Sequence, residues 1–452
     1  MTHRRPLLSV FILLHACREP EAPPRVSASL DAAVARDELG ALAPVLGDTP
    51  TDRSLREAQL AVRRNPGRTR PLLRLAQLYV RKAREASDPS LYERADDAVT
   101  RALRIDPNDL SALQVRGLVL MQDHRFAEAR DLATRAIARD RQQAIFYGLL
   151  GDAEMEVGHY TAAETAYQQM VNLRPNLASY SRGSWLRWLI GDPDGAIDLG
   201  RHAVEAGSPR VPEELAWTIV QLGNLQFSIG DLAGALTNYE AALRVFPNYP
   251  SALDARGVLR RARGDLAGAV SDARLAVLGS TTTEHLLHLG EAQRAAGRQA
   301  EADSTFAQAE RAGRRSDPRA LSLFYANHNR DQAAAVELAR RELAARPDEV
   351  YSQDALAWAL FRQGQLDEAA VLIDRARRLG TREARFAFHA GMIARARRAP
   401  DAARTLLCEA LQMNPYFDVD GVAEARRALQ EMDAGACPEA PRAAHRDAGL
   451  RD

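Results

Sequence analysis

Residues 219–247 read IVQLGNLQFSIGDLAGALTNYEAALRVFP, and this stretch decides the fold. Its marks are Ile219, Leu222 and Gly223, then Ala235, Tyr239, Ala242 and Pro247. A Gly on one helix and an Ala on the next let two antiparallel helices approach closely, and Pro closes the second helix. One such hairpin cannot bury its own apolar face, so it needs stacked neighbours.

The rest of the chain repeats this layout. The second-helix Ala recurs at Ala95, Ala129, Ala163, Ala196, Ala235, Ala269, Ala302, Ala335, Ala369 and Ala403, at intervals of 34, 34, 33, 39, 34, 33, 33, 34 and 34. Gly117, Gly151, Gly223, Gly257, Gly290 and Gly391 stand twelve residues before their Ala, and Pro107, Pro175, Pro247, Pro347 and Pro415 twelve after. This pattern resembles the tetratricopeptide repeat. The resemblance implies an all-α fold, a right-handed superhelical solenoid of about ten helix-turn-helix repeats.

Two intervals depart from the period. Around Gly207-Ser208-Pro209-Arg210-Val211-Pro212 five extra residues cannot continue a helix, which suggests a joint at 207–212 between repeat blocks 51–206 and 213–415. In the first full repeat a surplus near Arg84 to Leu91 is expected to extend the turn. Ser54 to Pro66 reads as the second helix of a degraded leading repeat. Beyond Pro415, residues 416–433 read as a capping helix with Val422, Ala425 and Leu429 inward, and 434–452 as a disordered tail.

The amino terminus carries a separate signal. His3-Arg4-Arg5 precedes an apolar run from Leu7 to Leu14, too short for the ~20 residues of a membrane span, and residues 1–16 read as a secretory signal peptide. Leu14-His15-Ala16-Cys17 resembles the lipobox of bacterial lipoproteins, with His15 where a small or apolar residue is usual. The resemblance implies lipid on Cys17, and Arg18 after it favours outer-membrane sorting, facing the periplasm. Residues 17–50 are then a Pro-rich tether with a short helix near Leu30 to Leu42.

Numbering each repeat so that its Gly is position 8, positions 2, 5, 9 and 12 share one face of the first helix. In tetratricopeptide proteins that face lines a concave peptide-binding groove. All four tryptophans fall on it, namely Trp185, Trp188, Trp217 and Trp358, together with Val220, Asn224, Phe227, Phe324, Asn327, Tyr351, Asp354, Phe361, Phe388, Met392 and Arg395. Rigid rings with sparse polar groups suit a peptide surface. Trp185→Ala and Trp358→Ala are therefore expected to abolish partner capture and leave helicity intact. The alternative is that these rings fill the inner wall by packing on the next repeat.

Catalytic signals are thin. Sixty Lys plus Arg balance sixty Asp plus Glu, which argues against a phosphate-neutralising nucleic-acid binder. Lys82, the only lysine, does not follow a Gly-rich turn, so a phosphate-binding loop is missing. His285 and His288 share a helix face without a third ligand at metal spacing. His124, His159 and Asn327-His328-Asn329 fall in turns. With Cys17 lipidated, Cys408 and Cys437 remain, and a disulfide clamping the cap is one hypothesis; a buried free Cys408 is the other.

These features point to an exported, lipid-anchored scaffold or adaptor that needs no cofactor, binds a protein or peptide in its groove and is not an enzyme. One rival is an enzyme subunit acting on glycan or peptide, which would require a compact His, Asp and Glu cluster on the concave face. Another is a non-exported cytoplasmic adaptor.

Overall fold

The structure is a computed structural model and describes residues 40–86, 88–432 and Cys437. The signal segment, Cys17, the tether as far as residue 39 and the rest of the tail lie outside the described residues. Among the described residues every regular element is an α-helix. Helix α1 (Pro50–Arg64) leads. Ten pairs follow: α2 (Thr69–Ala86) with α3 (Leu91–Ile105), α4 (Leu110–Gln122) with α5 (Phe126–Arg139), α6 (Ala144–Glu156) with α7 (Tyr160–Leu173), α8 (Leu177–Leu189) with α9 (Pro193–Glu205), and α10 (Pro212–Ser228) with α11 (Leu232–Val245). Then come α12 (Pro250–Ala262) with α13 (Leu266–Gly279), α14 (Thr283–Ala295) with α15 (Gln299–Ser316), α16 (Pro318–Asn327) with α17 (Gln332–Ala345), α18 (Val350–Arg362) with α19 (Leu366–Ala376), and α20 (Ala384–Ala396) with α21 (Pro400–Met413). Helix α22 (Val419–Glu431) ends the stack.

Each pair packs internally and against the next, which makes an α-solenoid. The small residues act as the spacing requires. A Cβ on Gly151 would lie 2.3 Å from the Tyr167 ring, and one on Gly223 2.6 Å from the Tyr239 ring, so the second-helix aromatic occupies the space a side chain would need. The ten period alanines are completely buried. Turns inside repeats use a left-handed residue: Gly158, Gly191, Gly230, Gly264, Gly297 and Gly364, with His124, Asn329 and Arg398 at the same place elsewhere.

The surplus of the first repeat is absorbed differently from the sequence expectation. Much of it lengthens α2, which runs to Ala86, rather than the turn. Residues 206–211 form the α9–α10 connection, and these two helices pack directly on each other. At the start of the described chain, Ala41 and Leu42 are buried against α1 and α2. Tyr79 Oη and Gln59 Nε2 donate to the Ala41 carbonyl at 2.7 and 3.2 Å, so residues 41–42 belong to the folded body and not to a tether.

The solenoid also folds back on itself. Met155, Tyr160, Leu186 and Leu189, from α6 to α8, share one core with Val350 and Phe386, from α18 and α20. Tyr160 Oη accepts from the Val350 N–H at 3.0 Å, Trp188 Nε1 donates to Tyr351 Oη at 3.0 Å, and Thr381 Oγ1 donates to the Leu189 carbonyl. Arg346 pairs with Glu156 at 2.9 Å. This seam joins the third and fourth repeats to the ninth and tenth and turns the stack into a ring.

At the other end Val422, Ala425 and Leu429 of α22 are buried, and Cys408 is disulfide-bonded to Cys437. The chain before α22 crosses back over the ring: Asn414 Nδ2 donates to the Phe227 carbonyl at 2.9 Å. Asp420 pairs with Arg294, and Glu424 makes a two-pronged pair with Arg362 at 3.0 and 2.7 Å.

Candidate functional site

Closure of the ring leaves a cavity of about 430 Å³ inside the second half of the molecule. Its wall comes mainly from the first helices α10, α12, α14, α16, α18 and α20, and residues 414–424 also line it. Those residues grip Phe227, Arg294 and Arg362, all at the carboxy-terminal ends of their helices, and so form a floor. Exposed Glu284 and Arg385, at the opposite helix ends, mark the mouth. The cavity forms a chamber between these two ends.

Of the groove residues named from sequence, Val220, Asn224, Phe227, Asn327, Trp358 and Phe388 line this chamber. The structure does not leave the set as a free surface. Trp188, Val220, Phe324, Asp354, Trp358, Phe388 and Met392 are all buried, which corrects their reading as open peptide contacts. Trp188 belongs to the seam through its bond to Tyr351. Phe324 packs on Phe306 and His328, with ring centroids 4.8 and 4.7 Å apart. Met392 joins the core around Phe388 and Cys408. Half-buried Phe361 stacks on Trp358, and Arg395 pairs with Glu431. Trp358 has no exposed surface: His389 stacks on it at 4.0 Å, the Arg362 guanidinium lies 4.3 Å above its ring, and its Nε1 donates to Asn327 Oδ1 at 2.7 Å. Ring closure covers Trp188, which meets Tyr351 across the seam, whereas Phe324, Trp358, Phe388 and Met392 are covered by side chains of their own and adjacent repeats, the inner-wall packing that was the alternative reading. Trp185 and Trp217 alone among the tryptophans stay well exposed, at 42% each, and Trp185 still stacks on Tyr351 at 6.0 Å.

The chamber carries chemistry that the linear pattern did not reveal. His288 Nδ1 lies 2.8 Å from Asp254 Oδ2, and His389 Nδ1 lies 2.8 Å from Asp354 Oδ1. Both pairs join position 5 of one repeat to position 6 of the next. The separations of 34 and 35 residues were the signal available in the sequence. His285, which shares the helix face of His288, turns its Nδ1 to the Ser280 carbonyl at 2.8 Å. His328 is more than a turn residue, because its Nε2 sits 2.5 Å from Glu291 Oε1. Glu291 also pairs with Arg294 at 2.7 Å. Burial pushes the Glu291 carboxyl up, but His328 and the neighbouring arginines outweigh it and bring it to about 2.

An imidazole oriented by a carboxylate can bind through, or exchange a proton at, its other nitrogen. These are two separate pairs, one between α12 and α14 and the other between α18 and α20, and not the single compact His, Asp and Glu cluster that the enzyme reading requires; among the described residues no three His, Cys, Asp or Glu side chains gather at metal-binding geometry.

Burial alone would lower the His288 pKa, but the charge and hydrogen bond of Asp254 prevail and hold it up to about 9. A raised imidazole stabilises the fold fully below its unfolded value of 6.5, and that contribution disappears as pH rises through about 9. We expect the thermal midpoint to decline across this window in the wild type and His288→Gln to flatten the decline. An unaltered decline in the variant would remove the pair as its cause.

Residues 149–211, 220–282 and 355–416 match the family model for the tetratricopeptide repeat, and these stretches carry such repeats. No curated protein matches the chain. Among solved structures, PilW, described as a widely conserved type IV pilus biogenesis factor, is 14% identical, with 47% of this chain and 96% of that one covered and a TM-score of 0.39. Yeast Tom70 is 13% identical, covering 85% and 92%, with a TM-score of 0.38. The Cut9–Hcn1 hetero-tetramer of the APC/C is 14% identical, covering 84% and 97%, with a TM-score of 0.37.

Proposed function

We propose that this repeat solenoid is a protein-interaction scaffold, exported and held at the bacterial cell envelope by lipid on Cys17, most simply at the outer membrane facing the periplasm. A partner segment docks beside the chamber mouth on Trp185 and Trp217. The observation that carries this reading is the exposure of those two rings where the other inner-face aromatics are consumed by packing. Large rings left in water on a concave face are what an interface anchor requires. Trp217 lies one helical turn before the chamber residues Val220 and Gln221, so a docked segment would reach the mouth.

Affinity purification after cross-linking, wild type beside Trp217→Ala, tests the docking. The variant is expected to lose the co-purifying partner and keep its circular dichroism melting curve, and retention of the same partner would defeat the assignment. Labelling with a fatty acid, wild type beside Cys17→Ala, tests the anchor independently. Equal labelling of both would remove it.

A further inference from the structure

The chamber itself is the wrong shape for the partner segment. An α-helix with side chains is about 10 Å across, so 430 Å³ corresponds to only about one turn of it. The volume instead falls within the range of about 300–1,000 Å³ typical of small-ligand sites.

Charge narrows the ligand class. Asp254 is paired with His288, Glu383 with Arg385 at 3.2 Å, Glu424 with Arg362, and Asp420 with Arg294. An anionic ligand would have to break one of these pairs or lie against Glu284 and Asp418, the lining carboxylates outside them, and both are costly. A peptide carboxylate carries that liability, whereas a neutral hydroxyl-bearing ligand does not and can donate to Glu284.

Hydrogen-bonding capacity nevertheless remains. His288 uses Nδ1 on Asp254, and its imidazole is 30% exposed. Arg385 engages Glu383 through Nε, and its side chain is about half exposed. Asn327 spends its oxygen on Trp358 and keeps its amide N–H groups, while Glu284 offers an exposed carboxylate. Donors and acceptors therefore alternate around a wall that also holds Phe227, Phe388 and Phe417. A hydroxyl both donates and accepts, and the C–H face of a sugar ring lies well against an aromatic ring.

We propose that the chamber binds a neutral sugar of one or two residues, entering through the mouth between Glu284 and Arg385. The same chemistry is offered by a free saccharide and by the uncharged end of a glycan chain.

Saturation-transfer NMR on the full chain tests the site, with glucose, N-acetylglucosamine, maltose and N,N′-diacetylchitobiose as probes and the corresponding hexasaccharides as a second arm. The expected result is transfer to at least one short saccharide at affinities near about 1 mM. Ala255→Phe fills the chamber without removing any polar pair and is expected to weaken binding by about tenfold or more, with unchanged helicity. His288→Gln should weaken the same saccharide. Hexasaccharide binding as tight as the disaccharide's identifies a glycan end, and binding of the short form alone a free sugar. Absence of transfer throughout, transfer unaffected by both substitutions, or equal transfer to the neutral dipeptide analogue N-acetylalanine methylamide each overturns the proposal. None of these readouts depends on Trp217 or on Cys17.

Discussion

Trp358→Ala lowers the unfolding free energy of the carboxy-terminal repeats by about 3–5 kcal/mol, and this is a loss of fold before it is a loss of binding. The indole is completely buried, with His389 on one neighbouring contact and Arg362 on another, and its N–H holds Asn327. Truncation leaves a void that the stacked imidazole and guanidinium cannot both fill, and it leaves the Asn327 oxygen without its donor. Denaturant unfolding followed by circular dichroism measures the effect. A loss below about 1 kcal/mol accompanied by loss of partner capture would restore the ring to a binding surface. Trp217→Ala provides the contrast, because an exposed ring contributes little to folding.

Phe386→Ala is expected to cost a similar 3–5 kcal/mol or so, but its diagnostic effect lies elsewhere. In an open solenoid a repeat contacts only its neighbours, so damage to α20 stays local. In the ring, Phe386 shares a core with Met155, Tyr160 and Leu189. Hydrogen exchange in α6 and α7, roughly two hundred residues earlier, should rise in the variant, and the radius of gyration from small-angle scattering should increase. Protection of residues 144–173 unaltered by the substitution would mean that the seam is not closed in solution.

Much of the architecture was legible because it follows from local spacing. The alanine period fixes ten repeats, and each Gly and Ala marks where two helices touch, because close approach leaves no room for a larger side chain. The cap was legible for a similar reason: Val422, Ala425 and Leu429 are an apolar stripe that a solenoid end must cover. Helical phase also placed the inner face correctly, since Val220, Phe227 and Phe388 do look inward.

What could not be read was how far the stack bends. Whether a ring at the seam stays in water depends on the accumulated rotation of many repeats, and no single repeat encodes it. Trp185 and Trp188 stand three residues apart on one helix, yet one remains exposed and the other is sealed against Tyr351 from five repeats away. The Asp254–His288 and Asp354–His389 pairs were missed for a different reason. Position 6 lies beside the inner-face stripe of positions 2, 5, 9 and 12, so its histidines fall outside that stripe although they bond carboxylates one repeat earlier.

The seam also orders events during folding. Most contacts in the stack join residues within one repeat or in the next, whereas Tyr160 and Val350 are separated by 190 positions. Closing the longer loop costs about 1.5 kcal/mol more than closing one of 34 residues, and such distant contacts form late. The hairpins therefore assemble first and the ring docks last. The chamber has no walls in any earlier species, so a ligand that needs it binds only the finished molecule and favours completion over every partly wound form.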